Sequence, residues 1–442
     1  MKKLTIILFV LIGVVSQAQV KKWTLKECVE HALQNNISVK QSELDLKITD
    51  VEKLSAVGNF LPSVNASASV SNNTGLNFDP TTGNAFTETY LSASGGISLG
   101  YTLFDGLRNF REVQRAKISK MAAQYRLTKM QDDISLFVAN NYLQVILNKA
   151  NLEVLKSQND VTLQQLQRTQ DLVDAGVLPQ GDLLEIKATD AGEKQQIVAA
   201  ENTIQVSLIS LAQLLLIKDY QNFDIEDEGY DIVDEGISDK DVYEIIEKAK
   251  ENRAEVKIAE KNVELAQKDV QLAKGAYLPT LSAFFGYDTR YSEANPPFLP
   301  LKEQIYLNDG IGYGLRLNIP VLNGFSAKAG VQRSKINLEN TRYQLEQAEL
   351  DLESTVYQAY VDAKGAFKSY EAAQSALESQ ELAYNYAKER YDVGLTNAFD
   401  FSQAKLRYDN SKIELNRTKY DYIFKLKVLE LYFGIPAMEL KF

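Results

Sequence analysis

The sequence predicts a mainly α chain, built twice over, with four membrane β-strands set between very long antiparallel helices. Three observations carry that prediction. Asn35 and Asn252 lie 217 residues apart, as do Pro62 and Pro279, while Gly106 and Gly324, and Gly176 and Gly394, lie 218 apart. So steady an offset marks two structural copies, at about 24–217 and 242–434. Four stretches alternate apolar and polar residues with a period of two. Finally, no glycine or proline interrupts the chain between Gly106 and Gly176.

The first 18 residues read as a secretory signal. Lys2 and Lys3 supply the positive start, Leu4 to Val15 the apolar run, and Ser16 and Ala18 the small residues before a cut ahead of Gln19. That run is too short to span a bilayer, and no later one reaches the roughly 18 apolar residues a membrane helix needs. The net charge is −11, and −13 once Lys2 and Lys3 are removed, which argues against binding nucleic acid. One histidine, His31, and one cysteine, Cys28, leave the usual general base and transition-metal ligands nearly absent. We therefore expect no catalytic residues, no cofactor and no metal. Cys28 reads as a small buried thiol and His31 as an ordinary residue of the first helix.

Strands are expected at about 62–104 in the first copy. Val64, Ala66, Ala68 and Val70 share one face against Asn65, Ser67, Ser69 and Ser71. Leu91, Ala93, Ile97, Leu99, Tyr101 and Leu103 alternate in the same way with Ser92, Ser94, Ser98 and Thr102. The second copy repeats this at about 279–322, where Leu281, Ala283, Phe285, Tyr287 and Tyr291 form one apolar row. Ile305, Leu307, Ile311, Tyr313, Leu315, Leu317 and Ile319 form the other. These stretches exceed the roughly 9–11 residues a tilted membrane strand needs. Their second face is small and mostly uncharged, as a wet lumen requires, and tyrosines gather towards the ends of the apolar face. A soluble periplasmic coiled-coil protein of structural or adhesive type, with a soluble sheet, is the alternative, since period two also describes a sheet with one face on a core. Four strands cannot close a membrane barrel, and an open edge in lipid leaves backbone groups unpaired, so several chains must share the wall. Two chains would give eight strands and three would give twelve; counting leaves both open.

The long helices are expected from Asn109 to Asp174 and from about Ala327 to Asp392, each extending roughly 100 Å at 1.5 Å per residue. With their returning partners they make hairpins at 107–217 and 324–434. Leu338, Leu345, Leu352, Ala359, Ala366 and Ala373 form a seven-residue ladder of coiled-coil type, and Leu152, Leu155, Leu163, Leu166 and Val173 a looser seam. The acidic stretch 218–241 reads as a solvated linker between a first repeat at 19–217 and a second at 242–442. The strand-to-strand loops Asn77 to Glu88 and Glu293 to Glu303 read as ordinary loops.

In its ordered set of landmarks the chain resembles the TolC family of outer-membrane efflux and secretion channels. These are the opening Thr24-Leu25-Lys26-Glu27-Cys28-Val29-Glu30-His31-Ala32-Leu33-Gln34-Asn35-Asn36, the strand starts Phe60-Leu61-Pro62 and Tyr277-Leu278-Pro279, the exit Leu103-Phe104-Asp105-Gly106, and the turns Ala175-Gly176-Val177 and Tyr391-Asp392-Val393-Gly394. The resemblance implies a homotrimer, with a twelve-stranded β-barrel in the outer membrane and a periplasmic α-barrel below it. It implies a passive channel fed by a periplasmic adaptor protein and an inner-membrane RND or ABC transporter. Adaptor docking would fall at the tips Gly176, Val177, Leu178, Val393, Gly394 and Leu395. Acidic residues after the second turn would ring a gate. Asp400 holds the first such position and Gln403, which departs from the pattern, the next; Asp182 is the repeat counterpart of Asp400. Each aspartate also suits a helix N-terminus, where the macrodipole favours negative charge.

Overall fold

The computed structural model describes residues 21–78, 83–227, 229–234, 236–237, 240–293 and 299–436. The expected signal segment lies outside them, as do parts of both strand-to-strand loops. The chain forms two compact units. Among the described residues, one comprises 21–44, Tyr125–Lys257 and 347–436; the other comprises Asp45–Gln124 and Ile258–Glu346. Each unit thus draws on both sequence copies.

In order, the elements are β1 (Lys22–Trp23), α1 (Leu25–Asn35), α2 (Ile37–Gly58), β2 (Ser63–Phe78), β3 (Ala85–Phe104), α3 (Arg108–Asp174), α4 (Gln180–Leu214) and β4 (Asp224–Ile225). There follow α5 (Val242–Asn252), α6 (Ala254–Lys274), β5 (Thr280–Ser292), α7 (Leu301–Leu307), β6 (Gly310–Asn318), α8 (Ser326–Asp392) and α9 (Ala398–Phe433). Helices α3 and α8 have 67 residues each, which the lack of internal proline permits.

The strand-bearing unit holds one antiparallel sheet in the order β2-β3-β5-β6. Its register aligns the apolar positions across all four strands: Val64 opposes Leu99, Leu99 opposes Phe285 and Phe285 opposes Tyr313. One step along, Ala66, Ile97, Tyr287 and Ile311 form a parallel row. A slip of one residue in any pair would break both rows. The opposite face is tied by hydroxyl pairs, Ser69 with Ser94 at 2.8 Å and Ser71 with Ser92 at 2.9 Å. The apolar face stays uncovered, with Val70 71%, Tyr313 80% and Leu315 68% exposed.

One strand differs from expectation. Ile305 and Leu307 belong not to a strand but to the short helix α7, and β6 begins only at Gly310. The buried Gln304 explains this. Its amide nitrogen donates to the carbonyls of Ser292 at 3.1 Å and Leu299 at 2.9 Å, and its oxygen accepts from the Ser292 amide at 3.1 Å. Thr289 adds a bond to the Ile305 carbonyl at 2.6 Å. These bonds fold the segment back on β5 before it can pair as a strand.

Where strand gives way to helix, both copies reverse through two left-handed residues, Gly106 and Leu107 (φ 72° and 65°) and Gly324 and Phe325 (φ 58° and 64°). The first reversal is also a close approach. A Cβ on Gly106 would meet the Gly275 carbonyl oxygen at 2.7 Å, and one on Gly275 would meet Cγ of Arg108 at 2.6 Å. The flanking helices are pinned by Arg115–Asp269 at 2.7 Å and Lys120–Asp50 at 2.6 Å.

In the other unit, a capping box starts α1, with Thr24 Oγ1 accepting from the Glu27 amide at 3.2 Å and Glu27 accepting from the Thr24 amide at 3.1 Å. Cys28 is fully buried, and burial pushes its thiol up to about 12. His31 packs edge-on to Trp23, whose strand β1 pairs in parallel with β4 of the acidic segment. That segment is anchored at several points. Phe223, Ile225, Tyr230 and Ile237 are buried, and Lys427, 1% exposed, donates to the Val233 carbonyl at 2.8 Å while pairing with Glu430 at 2.9 Å. Leu352, Ala366 and Ala373 of the expected ladder are buried in this unit. Of the looser seam on α3, Leu152, Leu155, Leu166 and Val173 are half-buried and Leu163 is 40% exposed, while the buried residues among them are polar: Gln158, Asn159, Thr162 and Thr169.

The two reversals separate conformation from crowding. Gly324 has open space where a Cβ would sit, so Gly324→Ala carries only the left-handed backbone cost of about 1–2 kcal/mol. Gly106→Ala carries that cost plus a clash. We expect the denaturant midpoint of detergent-extracted protein to fall further for Gly106→Ala than for Gly324→Ala.

Candidate functional site

The residues singled out in the sequence lie at the turns joining α3 to α4 and α8 to α9, all within one unit. Both long helices end the same way. The Val177 amide donates to the Leu172 carbonyl at 2.8 Å and the Leu395 amide to the Arg390 carbonyl at 2.8 Å, each reaching back five residues. Gly176 (φ 75°) and Gly394 (φ 78°) sit in the left-handed position just before. This is the Schellman closure, which satisfies the last carbonyls of a helix and favours glycine. It leaves Val177 66%, Val393 70% and Leu395 70% exposed, while Leu178 is half-buried.

Asp182 and Asp400 occupy equivalent places, the third residue of α4 and of α9. Their surroundings differ. Asn397 caps α9 by accepting from the Asp400 amide at 2.8 Å, and Thr396 donates to the Asp400 carboxylate at 3.2 Å. Pro179, at the corresponding place before α4, offers no side-chain cap. Gln403 is exposed and lines a cavity of about 260 Å³ together with Gln158, Gln165, Glu193 and Lys405. The sequence therefore finds the turns and the paired aspartates, and the fold puts Gln403 beside a feature the sequence reading missed.

That feature is a set of polar ties between the two hairpins. Near the turns, Arg168 of α3 binds the Asp392 carboxylate and donates to its carbonyl at 3.0 Å. Thr169 and Tyr391 share a hydrogen bond at 3.3 Å. Deeper in, Lys405 of α9 and Glu193 of α4 form an ion pair at 2.9 Å with both residues 5% exposed. The Lys405 ammonium also donates to the Gln158 carbonyl at 2.6 Å and to Thr162 Oγ1 at 2.5 Å. The second Glu193 oxygen accepts from Asn159 at 3.2 Å. Asn159 also donates to Asp190 at 3.0 Å, and the hydrogen bond from Lys194, joined by this one, holds the Asp190 carboxyl below its ordinary range. Between α8 and α9 runs an aromatic stack, with Tyr391 on Phe401 at 5.1 Å and Tyr384 on Tyr408 at 5.0 Å. The sequence did hold a signal. Ala398, Phe401, Lys405 and Asp409 fall on one buried stripe of α9, and charges on such a stripe are paired or costly. A search for apolar periodicity passes over them.

Residues 28–215 and 245–434 match the family model described as "Outer membrane efflux protein". The outer membrane protein TolC of Vibrio cholerae is 24% identical over 322 residues, spanning 71% of this chain and 70% of that protein. Among solved structures, the outer membrane protein VceC of Vibrio cholerae superposes with a TM-score of 0.76 at 17% identity, covering 93% of this chain and 96% of VceC. The CmeC outer membrane channel of Campylobacter jejuni does so with a TM-score of 0.72 at 19% identity, covering 94% and 85%.

Lys405→Met leaves the Glu193 carboxylate buried beside an apolar neighbour, which costs about 3–5 kcal/mol. The double variant Lys405→Met with Glu193→Gln removes both charges. We expect it to recover most of that loss, read as the chemical-denaturation midpoint of the helical signal.

Proposed function

This chain belongs to the outer membrane efflux protein family, and from that premise we propose that it is the exit duct of a tripartite efflux or type I secretion system. It is a passive channel in the outer membrane with a periplasmic extension, not an enzyme. Cargo reaches it from an inner-membrane RND or ABC transporter through a periplasmic adaptor, and the energy for transport comes from that transporter. Family membership decides against the soluble coiled-coil alternative.

One observation carries the assembly. The sheet's apolar rows are uncovered, and its outer strands, β2 and β6, each pair on one side only among the described residues. In hydrocarbon both defects must be covered, so β6 of one chain pairs with β2 of the next. A homotrimer then has twelve strands with the hydroxyl-bearing face turned inward. Twelve strands leave a lumen, whereas about eight would fill with their own side chains. The helix hairpins of three chains complete the periplasmic α-barrel.

The turns form the periplasmic tip. Gly176, Val177, Leu178, Val393, Gly394 and Leu395 present the adaptor-docking surface, and the exposed Val177, Val393 and Leu395 suit an apolar partner groove. Asp400, with Asp182 and Gln403 behind it, lines the constriction, and the ring narrows or widens as the hairpins part. Residues 1–18 are the export signal and 218–241 join the repeats 19–217 and 242–442.

Native mass spectrometry of detergent-extracted protein should give three chains. Cysteines at Val177 and Val393, which avoid the left-handed glycines beside them, should block export of a fluorescent pump substrate when crosslinked and restore it on reduction. Unchanged export with verified crosslinks would rule out the tip as gate.

A further inference from the structure

We propose that Asp409, set against the buried Glu193–Lys405 pair, is a proton-responsive latch that clips α9 onto α3 and α4 and biases the duct towards its closed arrangement. This rests on the duct reading and on the tip as its moving end.

The geometry leaves one carboxylate oxygen unserved. Lys405, Glu193 and Asp409 are each 5% exposed. All three ammonium protons of Lys405 are engaged, by Gln158, Thr162 and Glu193. None remains for Asp409, one helical turn further along α9, whose Oδ2 is buried without a hydrogen-bond partner. A buried carboxylate with an oxygen lacking a donor is costly when charged and less so when protonated. The charged and titratable groups acting on it are Lys405 and Lys412 on α9, Glu193 on α4 and Tyr384 on α8, while α3 meets the Lys405–Glu193 pair through the uncharged Gln158, Asn159 and Thr162. Burial, the largest influence, pushes the Asp409 carboxyl up to about 6 from 3.8; Glu193 adds to this, and Lys405 and Lys412 oppose it.

The direction follows. The clipped arrangement holds a proton more tightly than a hydrated aspartate does, so protonation favours it. That preference is lost as pH rises from about 4 through about 6, leaving an ionised carboxylate that is relieved by lifting α9 into water. Each unit of difference in pKa between the arrangements is worth about tenfold in their ratio.

The test uses the purified, full oligomer in planar lipid bilayers. From pH 5 to pH 7.5 the closed-to-open ratio should fall at least about tenfold, with a midpoint near 6. Asp409→Asn, neutral at every pH, should stay at the low open level throughout. Hydrogen exchange of the unmodified protein, corrected for intrinsic rate, should be slower across 402–412 at pH 5 than at pH 7.5, which needs no variant to fold. A channel that opens alike at both pH values with unchanged exchange overturns the latch and leaves the duct standing. So does an Asp409→Asn channel that keeps the pH response. Failure to conduct at any pH overturns the duct reading and the latch with it.

Discussion

A backbone amide facing hydrocarbon has no water to bond, and this constraint shapes the whole chain. Four strands satisfy their inner ladders through β2-β3-β5-β6 but leave two outer rows of donors and acceptors. Each such group costs several kcal/mol in lipid, more than any surface contact supplies. Association is therefore part of folding for the strand-bearing unit. The aligned rows through Val64, Leu99, Phe285 and Tyr313 make sense only with an apolar medium on that side.

The helical unit holds its long helices together by other means. A continuous apolar seam would fix them. Instead, from 158 to 169, α3 buries Gln158, Asn159, Thr162 and Thr169, and its ties there to α8 and α9 are hydrogen bonds and an ion pair. Such contacts are directional and can be exchanged for water. Between α8 and α9 the contact is aromatic, through Phe401 and Tyr408, so these two are joined by packing that water does not replace.

Much of this was legible in the sequence. The offset landmarks found the duplication, Gly106, Gly176, Gly324 and Gly394 marked the places where the chain reverses through left-handed backbone, and the alternation found four strands. What failed did so for physical reasons. Ile305 and Leu307 carry strand chemistry, but the side chain of Gln304 outbids the ladder, and a long-range side-chain bond leaves no periodic trace. Asp182 and Asp400 were visible as paired helix starts, because turn chemistry is local. Arg168, Glu193, Lys405 and Asp409 were not, because their meaning lies in partners on other helices: Arg168 with Asp392, and Glu193 with Lys405.

The pairing of β3 with β5 joins the hairpin of one copy to that of the other. It is the same kind of edge contact that the trimer needs between β6 and the neighbouring β2. A chain of half the length would have to bring six pieces to the rim at once, and each vacancy would let the wall unzip. Fusing the halves turns every second joint into an intramolecular one, so ring closure becomes a three-body encounter and a half-built rim has fewer ways to come apart.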